Sequence, residues 1–300
     1  MEEKTKQLLL TLLDKFVAIC EQYHLQYYLA GGSVIGAVRH KGFIPWDDDI
    51  DVHMPRADYE RLQLLPDSVW GENMRLASWR TIRNYPYDFL KLELNNTTII
   101  ERLPLGYIGG IYLDIFPLDF MSDDKKQIKS FEKQYVKLEK RYVRCTILND
   151  NDCESIWELI GLKIARRLYN HKKWMEKWER LAMSFSEKQN KVCHSHGYFY
   201  DKGGMNAEWF GAGILMEFEG RKVLVPQDYD AYLKQVFGDY MKLPPVDSRK
   251  GHTFLYVNYD RRITPQEAEI IFEKLHKQLA YRISLKHEIK VILRKLHIIR

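Results

Sequence analysis

Four aspartates crowd together at positions 47, 48, 49 and 51, and the last of them runs into Ile50-Asp51-Val52-His53-Met54. That stretch alternates with a period of two, so it reads as a strand with Ile50, Val52 and Met54 on one face and Asp49, Asp51 and His53 on the other. Carboxylates packed this closely repel one another unless a cation neutralises them. Phosphoryl and nucleotidyl transfer need such a cation at the attacked phosphate, and Mg²⁺ or Mn²⁺ needs few protein ligands because it keeps water and substrate oxygens. Parity sorts the acids. Asp49 and Asp51 share a face and are the candidate metal ligands. Asp47 has the same parity but sits beside Pro45-Trp46, before the strand settles. Asp48 has the opposite parity and is a candidate substrate contact.

Two further segments fit this chemistry. Gly31-Gly32-Ser33 follows a short strand at 26–30 and precedes a helix through Val34, Ile35, Ala37 and Val38; glycines let backbone amides approach a phosphate. Arg39, His40 and Lys41 lie between this turn and the acids and are candidate phosphate contacts. Downstream, Asp114 interrupts the apolar run Ile111-Tyr112-Leu113-Asp114-Ile115-Phe116, where an unpartnered carboxylate is costly. It is the candidate third metal ligand, or the group that accepts the acceptor's proton. Asp119, just beyond, reads as structural.

The 300 residues are 45% apolar and 29% charged, the composition of an ordinary folded chain. Cys20, Cys145, Cys153 and Cys193 form no CxxC pair and Met1 to Gln7 is too polar for a signal peptide, so the expected setting is reducing and cytoplasmic. Cys193, His194 and His196 lack the second ligand pair of a zinc finger. The net charge of +5 belongs to the tail: Arg282, Lys286, Lys290, Arg294, Lys295 and Arg300 stand against Glu288 alone, leaving the other 280 residues neutral overall. Nucleic acid is therefore not an expected partner. Leu285, Ile289, Ile292, Leu296 and Ile299 form one stripe of the same segment, which suits either an anionic membrane surface or the protein's own core. Lys163, Arg166, Arg167, Lys172 and Lys173, beside Trp174 and Trp178, are a second candidate membrane contact.

Periodicity predicts helices at 5–24, 125–143, 155–183 and 228–236, strands at 89–94 and 111–116, and a hairpin at 214–218 and 223–225 turning at Glu219-Gly220. Thr264-Pro265 caps a last helical stretch. The expected organisation is α+β: a catalytic core at 1–122, a helical insertion at 123–200, a continuation of the catalytic unit at 201–262, and a basic amphipathic C-terminal helical region at 263–300.

Three stretches, AGGSVIGAVRHKGFIPWDDDIDVHM, YLDIFPLDF and VPQDYDAYLKQVFGDYMKLPP, together resemble the LicD family, whose founding members transfer phosphocholine from CDP-choline to bacterial surface glycans. The similarity extends to the fukutin-type transferases, which use CDP-ribitol. The resemblance implies a nucleotidyltransferase-like mixed sheet, metal coordination through Asp49 and Asp51, a phosphate-facing turn at Gly32-Ser33, and a third acid at Asp114. It implies a CDP-linked donor such as CDP-choline, and a glycan acceptor in lipopolysaccharide, teichoic acid or capsule. Choline, ethanolamine, glycerol and ribitol phosphates all stay open as the transferred group. Two alternatives stand beside this reading: a nucleotidyltransferase modifying another acceptor, and an inactive nucleotide-binding module.

Overall fold

A computed structural model describes residues 3–185, 190–194 and 204–280. The chain opens with helix α1 (Glu3–Tyr23), whose Leu9, Leu12, Leu13, Phe16, Ile19 and Cys20 are buried. Their spacing puts them on one face, and each large apolar side chain withdrawn from water contributes roughly 1.5–3 kcal/mol. Then come β1 (Tyr28–Leu29), α2 (Gly31–Ile35, continued by a wider turn over Gly36–His40), β2 (Asp51–Pro55), α3 (Arg56–Gln63), β3 (Met74–Ala77), β4 (Leu90–Leu94), β5 (Thr98–Ile100) and β6 (Tyr112–Met121). Helices α4 (Lys125–Tyr142), α5 (Ile156–Arg167) and α6 (His171–Ala182) follow. The rest comprises β7 (Lys191–His194), β8 (Met205–Asn206), β9 (Ile214–Phe218), β10 (Arg221–Val225), α7 (Tyr229–Phe237), β11 (Tyr256–Asn258) and α8 (Pro265–Gln278).

The main sheet runs β1-β2-β6-β4-β3, with β7 on β6 and β8 on β7. Among the described residues only β2 and β6 pair in parallel; the other pairs are antiparallel. It is thus a mixed sheet flanked by helices, the α+β class expected. The parallel pair fixes the register Asp51↔Asp114, and the antiparallel pair beyond it fixes Lys91↔Asp114. Three charged residues therefore lie in one row across β2, β6 and β4. Neighbouring strands are about 4.8 Å apart, so these side chains must interact.

Elsewhere local chemistry accounts for the elements. Arg221 pairs with Phe218, leaving the two-residue turn Glu219-Gly220 with φ of +50° and +74°, the left-handed geometry that tight hairpins favour. Thr264 and Glu267 form a reciprocal capping box at the start of α8. The expected single helix over 155–183 is two helices. Asn170 caps α6 by accepting from the Lys173 amide, and Leu168 and Tyr169 leave the helical path before it. Strand β2 begins at Asp51, so Asp49 stands just before the regular alternation rather than within it. The basic tail from residue 282 lies outside the described residues, as do His196 and the side chains of Cys193 and His194.

Candidate active site

The row Asp51–Asp114–Lys91 is the centre of the site. Asp114 is 8% exposed and Lys91 1%. The Lys91 ammonium lies 3.0 Å from Asp114 Oδ1 and 3.2 Å from Glu101 Oε2, over the Tyr112 ring with its Nζ 3.0 Å from the centroid. Glu101 in turn accepts from the Tyr87 and Tyr112 hydroxyls. One buried cation thus serves two carboxylates. Among the described residues, Asp51, on the other side of Asp114, has no such partner.

The remaining acids gather at the entrance to β2. The Asp51 amide donates to Ser33 Oγ at 3.0 Å, so the serine hydroxyl fixes where the strand starts. Gly31 has φ +52°, and its amide donates to the buried Tyr232 hydroxyl of α7 at 2.9 Å. A Cβ on Gly32 would sit 2.6 Å from Asp47 Oδ2. The second glycine is therefore what lets the Asp47 carboxylate come this close to the turn. Asp48 turns the other way and accepts from His252, through the backbone amide at 2.9 Å and the ring Nδ1 at 2.8 Å.

Burial and mutual repulsion dominate the electrostatics. Loss of solvent, then the neighbouring Asp49 and Asp114 charges, hold the Asp51 carboxyl well above the usual carboxylate range. Burial and Asp47 push Asp49 to about 7. Burial also pushes Asp114 to about 7 against the opposing pull of Lys91. Asp47 is raised as well, chiefly by burial. His252 is raised to about 9, first by its bond to Asp48 and then by the Asp49 charge. This cluster holds more negative charge than its own cations balance.

A divalent cation fits that deficit. Among the described residues, Asp48, Asp49 and His252 place ligand atoms within 4.8 Å of one another. Asp51 and Asp114 face each other one strand apart, yet with Asp49 they do not close to that distance. Oxygen-rich donor sets of this kind suit Mg²⁺ or Mn²⁺. The cations singled out from sequence are placed differently. Arg39 donates to the Tyr240 carbonyl at 2.7 Å and to His40 Nε2 at 2.9 Å, tying the turn after α2 to the GDYMKLPP segment. Lys41 is exposed with φ +55°. None of the three lines the cleft beside the acids.

That cleft, of about 570 Å³, runs from Gly31, Gly32 and Asp51 past Arg102 and His252 to Tyr142 on α4 and Trp178 on α6. Asp47, Lys91, Arg102, Tyr232 and His252 are the site residues that sequence reasoning missed. Lys91 and Glu93 did leave a signal: they alternate with Leu90, Leu92 and Leu94 in one strand, where two opposite charges imply buried partners. His252 left none, since it meets Asp48 across 204 positions of the chain. Asp119, read as structural, accepts two hydrogen bonds from Arg56, both 2.6 Å.

Residues 24–145 match the family described as LicD/FKTN/FKRP, nucleotidyltransferase domain. The chain is 34% identical over 259 residues to the lipopolysaccharide cholinephosphotransferase LicD of Haemophilus influenzae, a match covering 81% of this chain and 92% of that one. It is also 27% identical over 109 residues to mouse ribitol 5-phosphate transferase FKRP, covering 36% of this chain and 22% of that one. The matched segment contains the glycine turn, the aspartate cluster and Asp114, and the similarity to the Haemophilus enzyme spans most of both proteins: the chain belongs to the LicD family.

Proposed function

We propose that the protein transfers a phospho-alcohol group, phosphocholine or a close analogue, from a CDP-activated donor to a hydroxyl of a cell-surface glycan. The acceptor oxygen attacks the donor's distal phosphorus, the bond from that phosphorus to the bridging oxygen breaks, and CMP departs with the oxygen. The acceptor's proton passes to a carboxylate of the row. One observation carries the reading: Asp51 and Asp114, fixed opposite each other by strand register, join Asp49 in a charge-deficient cluster at the end of a cleft large enough for a nucleotide-linked donor. The Haemophilus relative's activity as a cholinephosphotransferase supports it.

In this reading Asp51 and Asp114 would hold Mg²⁺ or Mn²⁺, with Asp49 drawn in from the entrance of β2 to complete the set, and the cation would supply neutralisation of charge at the attacked phosphate. Arg102, whose guanidinium lines the cleft and donates to the Tyr142 hydroxyl at 2.7 Å, is aligned to meet a donor phosphate. Asp48 and His252 hold the loop at 251–252 against the acids; a Cβ on Gly251 would lie 2.5 Å from Asp48 Oδ2. Catalysis would come mainly from alignment and charge stabilisation, as in phosphoryl transfer generally.

The acceptor is proposed to lie at an anionic membrane surface. Among the described residues no helix is long and apolar enough to cross a membrane. Helix α5 and the residue after it, however, expose Trp157, Ile160, Ile164 and Leu168 at helical spacing, with exposed Arg167, Lys172 and Lys173 nearby. Co-sedimentation with anionic vesicles should fall in a W157E/I164E variant; equal sedimentation rejects the contact.

The activity test offers CDP-choline, CDP-ethanolamine, CDP-glycerol and CDP-ribitol with Mg²⁺ or Mn²⁺ and a bacterial surface glycan. Cation-dependent CMP release with a new phosphodiester on the glycan is expected. A product carrying the nucleotide instead would make the protein a nucleotidyltransferase. No cation-dependent turnover of any donor would leave an inactive binding module.

A further inference from the structure

A second concavity lies between α4 and α6, a groove of about 760 Å³ that shares no lining residue with the cleft. The same two helices serve both: Tyr142 and Trp178 reach the cleft, while Lys137 and Lys177 reach the groove. Phe131, Trp174 and Phe185 give the groove an aromatic floor that is continuous with the core between the helices. Its walls are polar stripes set by helical spacing. On α4, Gln127, Ser130, Gln134 and Lys137 recur every three or four residues, and on α6 Lys177 and Arg180 lie one turn apart. Three cations and no carboxylate line it, and none of the three forms an ion pair among the described residues. The Lys177 ammonium instead lies over the Trp174 ring, 4.9 Å from its centroid. Because the chain is neutral overall outside its last twenty residues, this concentration of positive charge is local.

The mixture of groups defines a ligand class. Side-chain amides and hydroxyls match the hydroxyls of a sugar, flat rings take its apolar face, and unpaired cations take its acidic groups. A neutral glycan would cover the cations without pairing them, at a cost. A bilayer surface is flat, and these cations line a concave groove; the exposed Trp157 and Ile164 of α5 are the better fit to lipid. We propose that the groove between α4 and α6 is an acceptor site apart from the reaction centre, where Lys137, Lys177 and Arg180 hold a phosphate- or carboxylate-bearing oligosaccharide. This rests on the transferase reading above. The insertion then recognises the charged groups of the acceptor, while the acidic cluster and the cleft take the donor.

The test is direct binding, independent of turnover. In calorimetric titrations of the full chain, deacylated, phosphorylated lipopolysaccharide oligosaccharide should bind at least about tenfold tighter than a neutral dextran oligosaccharide. The triple variant K137E/K177E/R180E should erase that preference with little change in melting temperature, because all three side chains are exposed. Removing the phosphates from the oligosaccharide separates the two sources of charge: lost affinity assigns phosphate, retained affinity assigns carboxylate. In turnover, the triple variant should raise KM for the oligosaccharide acceptor by about tenfold or more, with KM for the donor within about threefold. Equal binding of the charged and neutral glycans by the native protein, or a preference that survives the triple variant, overturns the proposal. So does a variant that loses anionic vesicles but keeps the glycan, which would make the groove a lipid site. If the charged glycan binds through these cations but no CDP-linked donor is turned over, the transferase reading fails and the glycan site stands.

Discussion

Asp119 and Asp51 sit on adjacent strands of one sheet, both largely withdrawn from solvent, yet their surroundings treat them oppositely. Asp119 is gripped by Arg56 through two short hydrogen bonds, and Arg56 also pairs with Glu60 at 3.1 Å. Glu93 is matched in the same way, by Arg75 at 2.8 Å and the Tyr107 hydroxyl at 2.7 Å. Asp51 instead faces Asp114 and lies near Asp49 and Asp47, with Lys91 opposing it from the row and His252 opposing Asp49 and Asp47 from the entrance. An acid that serves the fold arrives with its counter-charge. The cluster at the mouth of β2 is short of cations, which costs stability and, in the proposed reading, is offset when a cation and a phosphate bind.

The sharpest way to break this comparison is to swap which acids are removed. D51N should lower turnover by about 10²–10³-fold or more, because a preorganised charge at the reacting phosphate is lost. The same change should raise the melting temperature of the metal-free protein, because it relieves repulsion at Asp49 and Asp114. Loss of activity and gain of stability in one variant is the signature expected of these acids. D119A should do the reverse. Removing one partner of a buried ion pair leaves the other charge uncompensated, a cost of about 3–5 kcal/mol. Turnover per folded molecule should change little. If D119A were harmless to stability, or D51N lowered it as much, the two sets of acids would not differ as described.

A smaller effect follows from pH. Asp49 and Asp114 titrate near 7 in the folded protein, above the range of an exposed carboxylate. The native state therefore keeps protons that the unfolded chain releases from about pH 4 upward. Their contribution to stability is present at low pH and is lost as pH rises through about 7. The melting temperature of the metal-free protein should fall between pH 5 and 8, and this fall should be shallower in D51N. Mg²⁺ or Mn²⁺ should stabilise more at pH 8 than at pH 6. Identical pH profiles for the two proteins would argue against repulsion as the cause. The smallest change is expected for H252A: the ring is half-exposed, and such pairs are worth about 0–1 kcal/mol. A differential scan at pH 7 should show little shift, while KM for the donor should rise severalfold if the loop at 251–252 closes the cleft.

Much of the fold and part of this site were legible in the sequence, for identifiable reasons. Helix α1, the hairpin turn at Glu219-Gly220 and the cap at Thr264 are set by local chemistry, and each was readable from a short window. Alternation after Asp49 named Asp51 correctly as a strand residue facing away from Ile50 and Val52. The same logic passed over Asp47, because parity ranks only residues inside a strand and positions 47–50 precede it. Asp47 reaches the cluster through the turn at Ile44–Asp47, whose Asp47 amide donates to the Ile44 carbonyl at 2.9 Å, and through the space left by Gly32. Tyr232, Arg102 and His252 come from distant segments, and only tertiary packing brings them to the acids. Trp178, read from the sequence as part of a membrane contact beside the basic cluster, is buried against Tyr135 and Tyr142 instead, because that placement depends on how α4 and α6 meet.

The most direct measurement is Mn²⁺ titration of the metal-free protein by calorimetry, comparing wild type with D49N, D51N, D114N and D119N. Mn²⁺ should bind the wild type and D119N alike, and its affinity should fall at least about tenfold in each of the other three. Wild-type Mn²⁺ affinity in D51N and D114N would contradict the claim that these opposed strand carboxylates hold the catalytic cation.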